Sequence, residues 1–290
     1  MGRGRNWERG AVRKILLCLA LAATLTACSS LKIFYNLAGE LIHREIAFFL
    51  DLDEEGEALA ERVVEGLIQW HRTRMLPLYA TYLCGLAGLA EEKTPKRSSV
   101  AAFMEQGRRL WAQTVKGATP HAGRLLVQHT TPGRRQFLRN RLAKRQEERR
   151  ADHAGAADER AAKRVERITR NFERFIGDLN DGQIEIIRRY VVASPGDPER
   201  RLANHDLRNK AFVDFLGGTP KAQAIADYLN RLVLTPYKIT DPAYEKFSRA
   251  RFARLEALLA DILLSLTPKQ RSAASQNLRD HAQDFNELAS

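Results

Sequence analysis

The stretch VERITRNFERFIGDLNDGQ, residues 165–183, reads as a helix, a stop and a new start, and FARLEALLADILLSLTPKQ, residues 252–270, repeats that pattern 87 positions later. Val165, Ile168, Phe172, Phe175 and Leu179 recur at spacings of 3 and 4, as do Phe252, Leu255, Leu259, Ile262 and Leu266. That period puts an apolar stripe on one side of an α-helix. Each stripe ends at a small polar residue with Gln three positions on, Asn180 with Gln183 and Thr267 with Gln270. In such a capping box the first side chain accepts from a free backbone N–H of the new helix, and the Gln reaches back to the cap. The second copy continues through Ala274, Leu278, His281, Phe285 and Leu288, so the unit predicted is an antiparallel helical hairpin.

Working outward, weaker copies of the same start lie at Asp53, with Gly56 in the Gln position, and at Thr131-Pro132, with Arg134 there. Of ten prolines, nine follow Thr, Ser or Asp. A small polar cap followed by Pro marks a helix start, because Pro lacks the N–H that would go unpaired. Pro120, Pro132, Pro198 and Pro268 are therefore predicted starts, whereas Pro195 and Pro236 are read as turns. Pro77 falls inside a helical pattern from Glu54 to Glu91 and predicts a kink or break. The pattern weakens from Ala151 to Ala157, and Gly217-Gly218 closes the helix begun near Pro198. With no sustained alternating β pattern, the fold expected for residues 37–290 is all-α, a multi-helix bundle of antiparallel hairpins with no significant sheet.

The first residues have a different character. A basic run ends at Arg13-Lys14, an apolar stretch runs from Ile15 to Leu25, and Leu25-Thr26-Ala27-Cys28 follows. Residues 15–28 would reach only about 21 Å as a helix, short of a hydrocarbon core of about 30 Å. Residues 1–27 thus read as a secretory signal peptide. Small residues before Cys28 suit a peptidase cleft, which predicts cleavage between Ala27 and Cys28. The tetrapeptide resembles the lipobox of bacterial lipoproteins. That resemblance implies a diacylglycerol on the Cys28 thiol and an N-acyl chain, palmitate-like, on its amine, with residues 28–36 as anchor and tether. Ser29 and Ser30, with no Asp after the cysteine, imply the periplasmic leaflet of the outer membrane.

The formal charge is +12. Residues 1–27 hold Arg3, Arg5, Arg9, Arg13 and Lys14 against Glu8, so the rest keeps 42 basic and 34 acidic residues, a net +8. The excess gathers between Arg134 and Arg174, with 14 Lys or Arg against 7 Asp or Glu. Arg139, Arg141, Lys144, Arg145, Arg149, Arg164 and Arg167 form the surface expected to meet an anionic partner. Export disfavours nucleic acid; lipopolysaccharide, unfolded envelope proteins or a folded envelope protein fit the compartment. Cys84, alone in the body, reads as a small buried apolar residue. Glu40-x-x-His43 is half of a di-iron pattern with no second half. His121 and His129 have no carboxylate at useful spacing, and Trp70-His71-Arg72 reads as a core Trp with flanking surface groups. No catalytic residue, metal site or cofactor is expected beyond the covalent lipid.

Two resemblances add to this. The Leu-Thr-x-x-Gln pattern at Leu266–Gln270, and its Leu-Asn-x-x-Gln form at Leu179–Gln183, resembles the Spy and CpxP periplasmic chaperones, small helical proteins that bind unfolded clients. The lipobox, Tyr35-Asn36, the run Phe48 to Asp53, Trp70-His71-Arg72, Pro77-x-Tyr79 and the last Leu-Thr-Pro-x-Gln helix together resemble an uncharacterised family of Gram-negative lipoproteins. The function expected is that of a membrane-anchored binding, chaperone-like or adaptor protein. A structural tether of an envelope assembly is the alternative, and an enzyme acting on cell-wall material is a third reading.

Overall fold

A computed structural model describes residues 30–290. The leader and the Ala27–Cys28 junction lie outside the described residues. What is described is α-helical, with short π and 3-10 turns and no strand.

The repeated segments form α7 (Ala157–Ile176), α8 (Asp181–Val192), α11 (Ala243–Ser265) and α12 (Pro268–Ala289). Both capping boxes are present. Asn180 Oδ1 accepts from Gln183 N at 3.0 Å, and Thr267 Oγ1 from Gln270 N at 3.2 Å. Gly177 ends α7 with φ +76°, a conformation that needs no Cβ. The two units are not independent hairpins. α7 packs on α12 and α8 on α11, while α12 lies most extensively along α4 (Leu76–Glu91). The second hairpin therefore opens to embrace the first, and Ile176, Ile187, Leu258, Ile262, Leu266 and Ala274 close a shared core.

The two capping glutamines meet at the centre. Gln183 Nε2 donates to Gln270 Oε1 and Gln270 Nε2 to Gln183 Oε1, both at 2.9 Å. Each amide also donates to a carbonyl at the end of the opposite unit, Gln183 to Ser265 O at 3.2 Å and Gln270 to Asp178 O at 2.8 Å. Each Oε1 in turn accepts from its own cap N–H, of Asn180 or Thr267. Every donor and acceptor of both amides is used, as burial demands.

The N-terminal half repeats the plan with α2 (Ala38–Phe49), α3 (Glu54–Trp70), α5 (Arg97–Leu126) and α6 (Pro132–Ala151). Here α3 packs on α5 and α2 on α6. Asp53 accepts from Gly56 N at 2.9 Å and Thr131 from Arg134 N at 3.4 Å. Arg134, in the Gln position, reaches across to Asp53 Oδ2 at 2.6 Å. A core of Leu50, Ala60, Leu125 and Leu138 is completed by Phe212, Val213 and Leu216 of α9 (Asp197–Leu216) and Ile225 and Leu232 of α10 (Ala222–Leu234).

Three expectations need adjustment. Pro120 does not start a helix but lies inside α5. Its missing N–H would have bonded Lys116 O; the Thr119 hydroxyl lies 3.4 Å from that carbonyl and 3.1 Å from Asn230 Oδ1 of α10, which packs along the helix. The break expected at Pro77 appears as a π-turn over His71–Met75, just ahead of it. Cys84 is exposed rather than buried, because α4 is apolar on most sides and its stripe does not single out an inner face.

The segment expected as a tether is helical from Ser30 on. α1 (Ser30–Asn36) sits on the end of α12, with Lys32 paired to Asp284 at 3.3 Å and to Glu287.

Candidate functional site

Three sets of side chains stand out from the scaffold. The first gathers the scattered aromatic motif residues. The π-turn aims His71 at α1, where its Nδ1 lies 3.0 Å from the Tyr35 hydroxyl and the rings stack at 5.8 Å. Arg72 covers the Tyr35 ring at 5.6 Å, Tyr79 bonds Thr114 of α5, and Phe285 of α12 packs on Tyr79. Trp70 packs against Gly117, where any Cβ would stand 1.8 Å from the indole. Burial lowers the His71 pKa and raises that of Tyr35, so both are neutral near pH 7. These groups join α1, α4, α5 and α12 as a latch.

The second set is the predicted basic surface, which the structure divides. Arg141 and Arg145 lie over Phe48 at 5.2 and 4.7 Å, Lys144 is 6.0 Å from the same ring, and Arg145 pairs with Glu45 and Glu148 at 3.2 Å. Arg139 bonds Gln136. Arg141, Lys144 and Arg145 fasten α6 to α2, using their stems and cation–π contacts as packing, while Arg139 stays on its own helix. Arg167 lines a recess of about 370 Å³ with Arg160, Lys163 and Arg164, opposed by Asp158 and Glu199.

Arg149 and Arg164 belong to the third set, which sequence reasoning largely missed. α9 packs on α6, with Gln146 Nε2 donating to Leu202 O at 2.9 Å. Arg201, His205 and Arg208 recur at i, i+4 and i+7 on α9 and so share one face. Arg149 of α6, Arg164 of α7 and Arg251 with Tyr244 of α11 converge on it. Arg164 is held by Ser194 O at 2.7 Å and Ser194 Oγ at 2.8 Å, across the Tyr190 ring. Arg149, Arg201, Arg208 and Arg251 have no carboxylate partner among the described residues. The nearby acids are already taken: Asp206 by Arg150, Glu199 by Arg160, and Asp197 by Arg254 at 2.7 Å.

The electrostatic consequence is read at His205. Burial, then Arg208, Arg149 and Arg201 in turn, push its pKa down to about 4. Partial desolvation, then like charge, also lower the pKa values of Arg208, which is half-buried, and Arg201, which stays exposed. An arginine remains charged at neutral pH regardless. The site therefore presents several unpaired guanidiniums around a neutral imidazole. That array suits a carboxylate or phosphate, since the guanidinium fork matches planar oxyanions.

The remaining candidates separate. His43 pairs with Glu57 of α3 at 3.1 Å rather than serving a site with Glu40. His129 is buried with Nδ1 3.1 Å from Leu125 O, and His121 packs over Gly66. Asn180, Gln183, Thr267 and Gln270 meet, in a structural role. No group of metal-ligating side chains occurs among the described residues. Nor is any described helix long and apolar enough to cross a membrane.

The profile of a family of unknown function, DUF6279, matches residues 48–245. That span includes Arg149, Arg164, Arg201, His205 and Arg208 and stops short of Arg251 and Gln270. No curated protein and no solved structure matches.

Proposed function

We propose that this chain, which belongs to the DUF6279 family of unknown function, is a lipid-anchored envelope protein that binds an anionic partner at the arginine cluster of α6, α7, α9 and α11. The observation that carries the reading is the set of guanidiniums around His205 with no carboxylate to neutralise them. Holding like charges together costs stability unless an anion arrives. The lipobox at Leu25–Cys28 supports an anchor on the periplasmic side, which narrows the partner to lipopolysaccharide, unfolded envelope polypeptides or a folded envelope protein. The role is binding or adaptation rather than catalysis, and no cofactor is assigned.

A client-binding variant is favoured by one further feature. Beside the capping core lies an apolar recess of about 310 Å³, lined by Leu86, Phe103, Met104, Phe172, Phe175 and Leu259. An extended chain with acidic and apolar residues matches both features, in keeping with the resemblance to Spy and CpxP.

The test uses the lipidated protein in detergent, titrated with fluorescent lipopolysaccharide and, separately, with an unfolded acidic polypeptide. Saturable binding of either, weakened by salt and by Arg201→Glu with Arg208→Glu, supports the proposal. Binding of neither ligand, or binding indifferent to the charge reversal, sinks it. Mass spectrometry of the mature N-terminus checks the anchor, and Cys28→Ala is expected to abolish lipid labelling.

A further inference from the structure

Exposed large apolar side chains occur across the molecule, most of them singly, as at Leu78, Trp111, Val192 and Leu207. Isolated ones are ordinary on any protein surface. Ile33, Phe34, Leu37 and Leu41 are different: they are 53, 69, 48 and 38 % exposed and follow one another along the N-terminal helices. Leu37 N donates to Ile33 O at 3.2 Å and Leu41 N to Leu37 O at 3.0 Å, so the α-helical ladder runs on from α1 into α2. At 100° per residue the four side chains fall within an arc of about 100°, an apolar stripe a little over two turns long. Glu40 and Arg44, both exposed, bound it at the far end.

The other side of these helices is engaged. Lys32 pairs with Asp284, Tyr35 bonds His71, and a Cβ on Gly39 would stand 3.8 Å from Val64. The latch fixes which face is inward, and the stripe is what remains outward. Burial in the fold therefore does not explain it.

We infer that the stripe Ile33-Phe34-Leu37-Leu41 seats in the headgroup–acyl boundary of a phospholipid bilayer, holding the body against the membrane instead of leaving it on a loose leash. The inference rests on the reading of Cys28 as the lipidated residue. Ile33 is five residues beyond Cys28, and even a fully extended chain spans at most about 18 Å over that distance. The stripe is thus confined near the surface into which the acyl chains insert. An amphipathic helix there buries its apolar face about 5–10 Å deep, a depth four side chains on one face can fill. A protein partner fits less well, because four partly exposed side chains fall far short of the ~800 Å² per partner of a standard interface.

The experiment places a nitroxide at Phe34→Cys, Leu37→Cys or Val192→Cys in a Cys84→Ser background of the full-length, natively processed protein. The proteins are reconstituted in phosphatidylethanolamine–phosphatidylglycerol vesicles, and collision rates with oxygen and with a water-soluble nickel chelate are read by electron paramagnetic resonance. Positions 34 and 37 are expected to show a several-fold higher oxygen-to-nickel ratio than position 192. Equal ratios at all three would overturn the inference. So would labels at 34 and 37 shielded from both reagents in proportion to protein concentration, the signature of a second copy on the stripe. As a second variant, Leu37→Asp should lower the ratio at a label on Phe34→Cys towards that of position 192; an unchanged ratio counts against seating by the stripe. Mass spectrometry of the same preparations separates the two readings. A lipidated chain with water-exposed labels keeps the anchor and loses the stripe, and an unlipidated chain whose labels still enter the bilayer does the reverse.

Discussion

The two halves of the molecule use one plan with different chemistry at its centre. In the C-terminal half, Gln183 and Gln270 are 0 and 7 % exposed and exchange neutral hydrogen bonds across the core. In the N-terminal half the corresponding positions hold Gly56 and Arg134, and the crossing is made by an Arg134–Asp53 ion pair at the surface. A neutral amide pair can be buried cheaply because each atom finds a partner. A charged pair so buried would lose its hydration, and a surface one is screened by water and salt. The plan tolerates either solution, but the consequences for stability should differ sharply.

The largest effect expected is at the glutamines. Gln183→Ala strips Gln270 of a donor and an acceptor, leaves Ser265 O and Asn180 N without their contacts, and opens a void in the core. A loss of about 3 kcal/mol is expected in denaturant unfolding. Gln270→Ala should match it, and the double variant should cost much less than the sum, because both changes break the same network. A loss below about 1 kcal/mol for either single variant would show that the centre is not a joint at all.

Acid should pull the halves apart next. His129 of the loop before α6 and His121 of α5 both have pKa values lowered first by burial, and His205 of α9, packed on α6, is lowered to about 4. A histidine whose pKa drops on folding binds fewer protons folded than unfolded. Stability is then full above the unfolded value near 6.5 and falls as pH drops towards the folded value. For His205, which is partly exposed, the loss is on the order of 1 kcal/mol once solvent screening is allowed for. Between pH 6.5 and 4, hydrogen exchange should quicken first in α5, α6 and α9, with α8 and α11 lagging; α12 is tied through Tyr79 to His71, whose pKa burial also lowers, and should fall between. Uniform quickening would erase the distinction.

At the ion pair the expected change is smaller. Arg134→Ala should cost a fraction of the Gln183→Ala loss and shrink as salt is raised, since Asp53 is exposed. Gly56 N–H and Arg134 hold the Asp53 carboxyl below its ordinary 3.8, so the pair persists to mild acid and fails only beneath that value. A salt-independent loss equal to that of the glutamine variant would mean the two centres are energetically alike.

This contrast also shows where sequence reading stops. The stripes, caps and helix class follow from spacings of three and four residues, so Asn180, Gln183, Thr267 and Gln270 announce themselves locally. That the two Gln side chains meet each other does not, because the contact joins residues 87 apart whose helices pair across units. The copies at Asp53 and Thr131 were visible for the same local reason, while the substitution of an ion pair for an amide pair needed the fold. The arginine cluster was half legible. Arg149 and Arg164 lie in the basic stretch, but Arg141 and Arg145 looked identical in sequence and are consumed by Phe48. Arg201, His205 and Arg208 carried a helical spacing that an overall charge count dilutes with Asp206 and Glu199. Pro120 misled because a start signal and an interior Pro differ only in what packs beside them.

The smallest effect tests the electrostatics of the site itself. If Arg201 and its neighbours hold His205 neutral, Arg201→Ser should raise the imidazole pKa, read from its ring-proton shift, by a fraction of a unit. Burial is the larger cause and stays in place, so a return to 6.5 is not expected. Saturating the cluster with pyrophosphate should raise it further in the parent protein than in Arg201→Ser, since the anion's own charge favours the protonated ring and a guanidinium that helps hold it is gone. This pair of shifts separates a site built for an anion from a crowded helix junction. A crowded junction would show the first shift and not the second.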